Sequence, residues 1–534
     1  MNPSYKISTT KLVLIVSAFL TLTGNTKFFT EIVSVYPLAE NWAFVGSLSI
    51  WLFAFLSTFL LLICYRLSVK PILILLLLIS SILSYFNNNY GTIFDNNMIT
   101  NLLETNLKES LDLFSIKLFS YFVLLGIFPA IWVYKVPIKH FNIVITAWSK
   151  IKTIVSLIVV FILVTLIFSK SYTSFARENK QLRLYINPTY FMYVTGKHVF
   201  NEFKSIDPQF VTIGEDAVIH RGSNSKKLII VIVGEAARAD RFALNGYMKQ
   251  TNPLLLNERV VSFKKMSSCG TDTALSLPCM FSILGRDEYS HIQGKNMSNA
   301  LDIISSTGVE ILWRDNNSSS KSVADRVTYK DYRSAENNTI CDVECRDEGM
   351  LVGLQTYINQ HKDKDIMIVL HMMGSHGPSY YKRYPKAFEK YTPTCETNQL
   401  NECSNEEINN AYDNTILYTD YFLSKTIELL KANQNNHKTA MLYVSDHGES
   451  LGENGLYLHG MPYFIAPKEQ THISSILWFD DNFSTEIDWR KLNKKTNEIV
   501  SHDGMFHTLL GLMDIQSQTY NMNLDWIPYK KLFL

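Results

Sequence analysis

The stretch from Lys438 to Ser450 reads KTAMLYVSDHGES: a short apolar, β-branched run that ends directly in Asp446, His447 and a glycine. Three other stretches repeat the pattern. Lys226 to Glu235 is KKLIIVIVGE, Gly308 to Asn317 is GVEILWRDNN, and Lys364 to His376 is KDIMIVLHMMGSH. Continuous apolar runs of this kind suit strands buried on both faces of a parallel sheet. Between them lie segments such as NAYDNTILYTDYFLSKTIELLKAN, whose apolar residues recur at three- and four-residue spacing and predict helix. Alternating strand and helix predict an α/β domain. Open α/β sheets bind ligands at the carboxyl ends of their strands. Glu235, Asp315 with Asn317, His376, and Asp446 with His447 should therefore converge on one edge. A cap or turn would explain any one of them; four strands ending alike point to a shared site.

The chain has 534 residues and a formal net charge of +1, so no global charge field points to nucleic acid. Its hydrophobic content of 47% is ordinary but uneven, with most long apolar runs before residue 170. Charge-free runs occupy Ala43–Tyr65, Pro71–Phe86, Leu118–Tyr134 and Ile154–Ser169, and a weaker one starts at Leu12. These approach the ~17–20 residues that cross a bilayer core. One such run is commonly a buried core helix, but five separated by polar loops predict a membrane domain. Lys6 and Lys11 before the first run resemble a secretory signal. No small-residue cleavage site follows, so the run reads as an uncleaved helix. Lys6, Lys11, Arg66, Lys70, Lys135, Lys139, Lys150 and Lys152 fall in alternate short loops, while the other loops are largely acidic. The amino terminus is therefore expected in the cytoplasm and everything after Lys170 outside.

Cys64 falls in the second run; Cys269, Cys279, Cys341, Cys345, Cys395 and Cys403 all fall in the exported part. An even set in an oxidising compartment predicts disulfides. Six cysteines allow fifteen connectivities, of which three sequential pairs closing short loops are the simplest. No C-x2-C spacing supports a zinc cluster instead. The expected organisation is a membrane domain over 1–169, a stretch over 170–225 that reads as a membrane-surface linker or an ordinary amphipathic connecting helix, and an exported α/β domain over 226–534.

Glu235, Asp446 and His447 supply oxygen and imidazole ligands without thiolate, a set that suits zinc or manganese, with histidine favouring zinc. His376 in GSHGP and His459 in YLHG sit beside glycines and are poorly explained as packed core. Such a metal would leave a position open where a hydroxyl loses its proton more readily, giving a nucleophile for a covalent intermediate. Thr273, between Cys269 and Cys279 and before the apolar ALSLPCMF, is a candidate. On spacing alone, Thr271 and Thr273 serve equally well as caps of that helix.

VGEAARADR, SSCGTDTALSLPCMFS, LWRDNN, HMMGSHGP, YDNTILYTDYFL, VSDHGESLGENGLYLHG and SHDGMFHTLLG together resemble the phosphoethanolamine transferases that modify lipid A. The resemblance covers essentially the whole chain. It implies a five-helix transmembrane domain and a periplasmic α/β domain of the alkaline-phosphatase/sulfatase fold, in the bacterial inner membrane. It implies that Thr273 is the nucleophile, with Glu235, Asp446, His447 and the Thr273 oxygen holding one zinc and a second zinc linked to substrate. His376 and His459 match positions that bind phosphate or this second zinc and act as acid or base. Lys321 and Asn317 match residues near the phosphoryl group. NNMITNLLETNLKES resembles a segment facing the donor headgroup, which would place Asn101 and Glu109 on ethanolamine; a solvated helix face is the alternative. Asp272 stands where small residues are common in the family. The implied reaction moves phosphoethanolamine from phosphatidylethanolamine to a lipid A phosphate of lipopolysaccharide, with Kdo or a core sugar as alternative acceptor. It would give resistance to cationic peptides such as polymyxin and colistin. A monomer and no nucleic-acid partner are expected. A hydrolase that passes the intermediate to water, and a catalytically dead lipid receptor, are the competing readings.

Overall fold

Lys226–Gly234 forms the central strand β1, buried from Lys227 onward. Ile229, Val231 and Val233 pack into one hydrophobic core and Leu228, Ile230 and Ile232 into a second. That is the alternation a strand imposes when both of its faces are covered. With β2 (Val261–Ser262), β3 (Glu310–Asp315), β4 (Thr328–Asp331), β5 (Ile366–His371), β6 (His437–Ser445) and β7 (Ser475–Phe479) it makes a seven-stranded sheet of order β2-β7-β6-β1-β5-β3-β4. Strands β6, β1, β5, β3 and β4 run parallel, and β7 pairs antiparallel with β6 and β2. The expected α/β architecture is present. The computed structural model describes residues 6–105, 107–139, 142–204, 209–221 and 225–530.

Register sets the position of the polar clusters. Val233 lies level with His371 and with Val444, and Asp315 with His371. The residues that follow each strand therefore emerge along one edge. Behind that edge runs the long helix Asn405–Asn433, started by a reciprocal cap between Ser404 and Glu407. Its Tyr412 hydroxyl donates to the Ala236 carbonyl at 2.6 Å and accepts from Arg238 N at 3.0 Å. That pair fixes the turn after β1, where Ala236 holds the left-handed φ of 55°. A non-glycine residue in that region stores strain and persists only where its surroundings over-determine it.

Internal packing divides the chain into two units. One comprises Met1–Ile99 and Phe114–Phe200; the other comprises Thr100–Leu113 and Asn201–Leu534. In the first, Leu38–Ile63, Val69–Tyr90, Ile116–Lys135 and Val144–Ile167 are long and apolar enough to cross a membrane. Thr9–Thr23 and Thr26–Val35, bent by 51°, make a fifth crossing if they count as one span. In Val144–Ile167 none of the apolar window is buried although its mean hydropathy is 2.4. Lipid rather than protein is the partner such a surface suits. Cys64 caps the carboxyl end of Leu38–Ile63. The bend falls at Asn25, whose amide donates to the carbonyls of Leu20 and Asn187. Asn187 in turn donates to the Gly24 and Ser80 carbonyls. Side-chain amides thus satisfy backbone groups that a broken helix would otherwise leave bare in an apolar medium.

In the second unit, Asp525 is buried and its carboxylate takes hydrogen bonds from Ile527 N and the Tyr520 hydroxyl, both at 2.8 Å. Burial nonetheless pushes its pKa up to about 7. A raised acid favours the folded state below its unfolded pKa and loses that advantage as pH rises through the folded value. Asp525→Asn keeps the acceptor for Ile527 N and removes the ionisation. Its melting temperature relative to wild type should rise between pH 4 and 7 and level off above. Parallel melting curves across that range would contradict this.

Candidate active site

Thr273 is the first residue of the helix Thr273–Phe281, and Asp272 is its cap, accepting from Leu275 N at 3.0 Å. The capping role open to both threonines thus belongs to the residue between them. A carboxylate at this end also suits the helix dipole. Thr271 instead donates to the Met461 carbonyl at 2.7 Å. The disulfide Cys269–Cys279 joins the loop to the helix, and Cys341–Cys345 and Cys395–Cys403 close two further short loops. All three are the sequential pairs.

Glu235, Asp446 and His447 come together around Thr273 and are fully buried. Thr273 Oγ1 donates to Glu235 Oε2 at 3.0 Å and lies 3.3 Å from His447 Nε2. His447 Nδ1 is 2.8 Å from the Gly448 carbonyl, which only accepts, so this nitrogen carries the hydrogen. Nε2 then presents a lone pair, 3.2 Å from Glu235 Oε1 and 3.5 Å from Asp446 Oδ2. Each carboxylate has one anchored oxygen. Glu235 Oε2 also takes the Asn317 amide at 2.7 Å, and Asp446 Oδ1 takes Ala236 N and His447 N at 3.1 and 2.7 Å. The other oxygens, Glu235 Oε1 and Asp446 Oδ2, lack hydrogen-bond partners among the described residues. Burial and the adjacent Glu235 carboxylate push Asp446 up to about 6. Two orphaned carboxylate oxygens and an imidazole lone pair aimed at one point repel one another unless a cation lies between them. The donor set fits a divalent metal.

His447, Glu449 and His459 form a second group close enough to hold a metal. His459 Nδ1 lies 3.0 Å from Glu449 Oε2, and Tyr380 donates to Glu449 Oε1 at 3.0 Å. Burial and the neighbouring His447 oppose a charge on His459, but Glu449 and Glu235 together hold its pKa above the ordinary range. His376 is the reverse: burial lowers it to about 4, and its Nδ1 has no hydrogen-bond partner among the described residues. The His376 and His459 rings are 6.0 Å apart.

Asn317 spends its amide hydrogens on Glu235 and on the Met372 carbonyl at 2.9 Å, so it orients a metal-ligand candidate directly. Lys321 lies in a strained run in which Ser319, Lys321 and Ser322 all have positive φ. Its Nζ is 3.4 Å from the Glu104 carbonyl and 3.7 Å from the Glu104 carboxylate. Glu104 belongs to Thr100–Leu113, the loop segment that groups with the catalytic unit. Asn101, half-buried, lies three residues earlier on the helix Asn96–Glu104. The segment meets Lys321 through Glu104. The Glu109 side chain lies outside the described residues. Further along, Asp112 takes Lys382 Nζ at 2.9 Å and Arg383 Nη2 at 2.7 Å. Arg383 also pairs with Glu344 and donates to the His376 carbonyl at 2.7 Å.

Sequence reasoning missed Glu449, Glu104 and Asp347. Glu449 stands two residues after His447 in a stretch already singled out, so its spacing was a usable signal. Asp347 accepts from Met373 N, Gly374 N and the Asn316 amide, bracing the loop before His376. Nothing local in the sequence marks it, because its partners lie in other segments.

Residues 227–515 match the sulfatase family, and residues 52–203 match the family described as phosphoethanolamine transferase EptA/EptB. The chain is 42% identical over 531 residues to the phosphatidylethanolamine transferase Mcr-1 of Escherichia coli, covering 96% of each. It is 36% identical over 524 residues to the phosphoethanolamine transferase EptA of Escherichia coli strain K12, covering 95% of this chain and 94% of that one. A Kdo(2)-lipid A phosphoethanolamine 7''-transferase of the same strain is 28% identical over 325 residues, 57% of this chain and 55% of that one. Among solved structures, the integral membrane lipooligosaccharide phosphoethanolamine transferase A of Neisseria meningitidis superimposes with a TM-score of 0.94 at 35% identity. It covers 98% of this chain and 99% of that one. The chain belongs to the phosphoethanolamine transferases, as a membrane-anchored enzyme with a sulfatase-like catalytic domain.

Proposed function

We propose that the enzyme moves phosphoethanolamine from phosphatidylethanolamine to a lipid A phosphate, through a covalent adduct on Thr273. The observation that carries this reading is the Thr273 hydroxyl, buried at a helix start and hydrogen-bonded to Glu235 beside His447. A threonine hydroxyl becomes a competent nucleophile when a neighbour takes its proton, and Glu235 Oε2 already accepts that hydrogen. Glu235, Asp446, His447 and Thr273 would hold a zinc ion, with His459 and Glu449 available to a second. When bound, zinc would lower the pKa of the hydroxyl and offset charge on the phosphoryl oxygens.

In the first half-reaction the Thr273 oxygen bonds to the donor phosphorus as the bond to the glycerol oxygen breaks. Diacylglycerol leaves with a proton. In the second, a phosphate oxygen of lipid A attacks the same phosphorus, and Thr273 leaves and recovers its proton. His459, kept basic by Glu449, is the group suited to give a proton to the glycerol oxygen. His376, neutral near pH 7, is suited to accept one. Lys321, with Glu104 beside it, supplies positive charge to the phosphoryl oxygens in both half-reactions. The catalytic domain, residues 226–534, works in the periplasm from the inner membrane. The cationic ethanolamine it adds weakens the attraction of the cell surface for polymyxin and colistin.

Purified enzyme incubated with headgroup-labelled phosphatidylethanolamine and lipid A should yield labelled lipid A. Free labelled phosphoethanolamine with unmodified lipid A would mark a hydrolase and reject the transferase reading. Kdo or core sugar is the second reading for the acceptor. The relative named for Kdo(2)-lipid A matches less of the chain, which favours the lipid A phosphate. Fragment masses of the modified lipid separate the two.

A further inference from the structure

The motif SHDGMFHTLLG has so far contributed nothing to the chemistry, yet its histidine at 502 is buried to 1% exposure. A short strand, Val500–Ser501, delivers it by pairing parallel with Met266–Ser267, the strand that leads into the disulfide loop. Ser501 lies level with Ser267, so His502 arrives beside Cys269. Its Nδ1 takes the Cys269 N–H at 3.1 Å, and its Nε2 lies 3.0 Å from the Ser445 carbonyl. A carbonyl only accepts, so Nε2 carries the hydrogen and Nδ1 the lone pair that Cys269 requires. One neutral tautomer satisfies both contacts.

Ser276 completes the tie. It lies one helical turn beyond Thr273, with its Oγ 3.3 Å from His502 Nδ1. The same oxygen donates to the Asp446 carbonyl at 2.5 Å and accepts from Gly270 N at 3.3 Å. Three separate segments therefore meet at His502 and Ser276: the loop at Cys269–Gly270, the helix that begins with Thr273, and the end of β6 at Ser445–Asp446. The helix brings the hydroxyl and β6 brings Asp446 and His447. Their separation is not set by chain connectivity, because 172 positions lie between Thr273 and Asp446.

We infer that His502 is a positioning residue for the transfer reaction, setting the distance between the Thr273 oxygen and the Asp446–His447 pair. The inference rests on Thr273 being the nucleophile. His502 touches no reacting atom; it acts through its hydrogen bonds with Cys269 and Ser445 and by packing against Ser276. A scaffold residue that only stabilises the fold would lower melting temperature and the amount of active protein, and leave the turnover of the folded fraction unchanged. A positioning residue lowers turnover itself, since a misplacement of about 1 Å costs on the order of 10²-fold in rate. Side chains that brace metal ligands cost a similar 10–100-fold.

The test uses the full-length zinc-loaded enzyme in detergent, with phosphatidylethanolamine and lipid A, and three variants. His502→Ala removes both contacts. His502→Asn offers an acceptor near the Nδ1 position for Cys269, and His502→Gln a donor near the Nε2 position for Ser445. His502→Ala is expected to lose about 100-fold in kcat per folded molecule, with KM for the donor within about threefold of wild type. Asn and Gln, each restoring one contact, are expected about tenfold below wild type. Wild-type kcat in folded His502→Ala, no recovery in either conservative variant, or a change confined to KM would overturn the inference. If His502→Ala fails to fold, Asn and Gln decide: a tenfold loss in kcat at constant KM supports the role, and wild-type kcat in both rejects it. Mass spectrometry of Thr273 separates this inference from the reading beneath it. An unmodified Thr273 in donor-treated wild type rejects the nucleophile assignment. An adduct that forms as fast in His502→Ala as in wild type rejects only the positioning role.

Discussion

Thr273→Ala will abolish transfer, with a loss of about 10⁴-fold or more, the scale seen when a covalent nucleophile is deleted. The hydroxyl is removed together with the γ-methyl, and the helix keeps its cap because Asp272 rather than Thr273 binds Leu275 N. The variant should therefore fold and take up metal while forming no adduct. Thr271→Ala removes a hydrogen bond to the Met461 carbonyl and leaves the carboxylates untouched. Its loss should stay within about tenfold, as for a hydrogen bond worth about 1 kcal/mol. The measurement is transfer of labelled headgroup, with the mass of the 273 position recorded alongside. A larger loss from Thr271→Ala than from Thr273→Ala would reverse the assignment.

Glu235→Gln should be the next most damaging change, with a loss of about 10³-fold at limiting zinc. The glutamate serves twice, since Oε2 accepts from Thr273 and Oε1 faces His447 Nε2 without a hydrogen-bond partner among the described residues. Glutamine keeps the shape but loses the charge that offsets a cation and takes the threonine proton. Zinc content per molecule should fall with activity, and added zinc should restore binding more than turnover. Asn317→Ala tests the support behind it. With its 2.7 Å contact gone, Glu235 Oε2 keeps only Thr273, and a loss of 10–100-fold is expected for such a brace. Equal zinc content in wild type and Glu235→Gln would remove Glu235 from the metal site.

Much of this was legible in the sequence for a physical reason. Strands buried on both faces cannot alternate, so KKLIIVIVGE and KTAMLYVSDHGES announce a parallel sheet, and the residue after such a strand has to emerge at its carboxyl edge. Glu235, Asp446 and His447 were found that way, and family resemblance chose between Thr271 and Thr273. The cap was not foreseen, because Asp272 competes locally with two threonines of similar capping strength. Nor were the contacts of His502, Asp347 and Glu104. Each acts on segments tens to hundreds of residues away, through a register that only the folded sheet and its neighbouring loops define. Lys321 was named through the family resemblance, but its engagement with Glu104 depends on a loop drawn from between two membrane helices.

That loop changes what counts as the catalytic domain for anyone building assays. A water-soluble fragment beginning near residue 226 would contain Lys321 and Arg383 without Glu104 and Asp112, the carboxylates that face them in the intact chain. In the intact chain both basic groups are almost wholly buried, at 4% and 1% side-chain exposure; without the loop Lys321 loses its carboxylate and Arg383 keeps only Glu344. Inhibitor screens run on the fragment would reward acidic compounds that replace the lost carboxylates. In the whole enzyme those compounds would meet positions already filled by its own side chains, so hits should be ranked on full-length protein from the start.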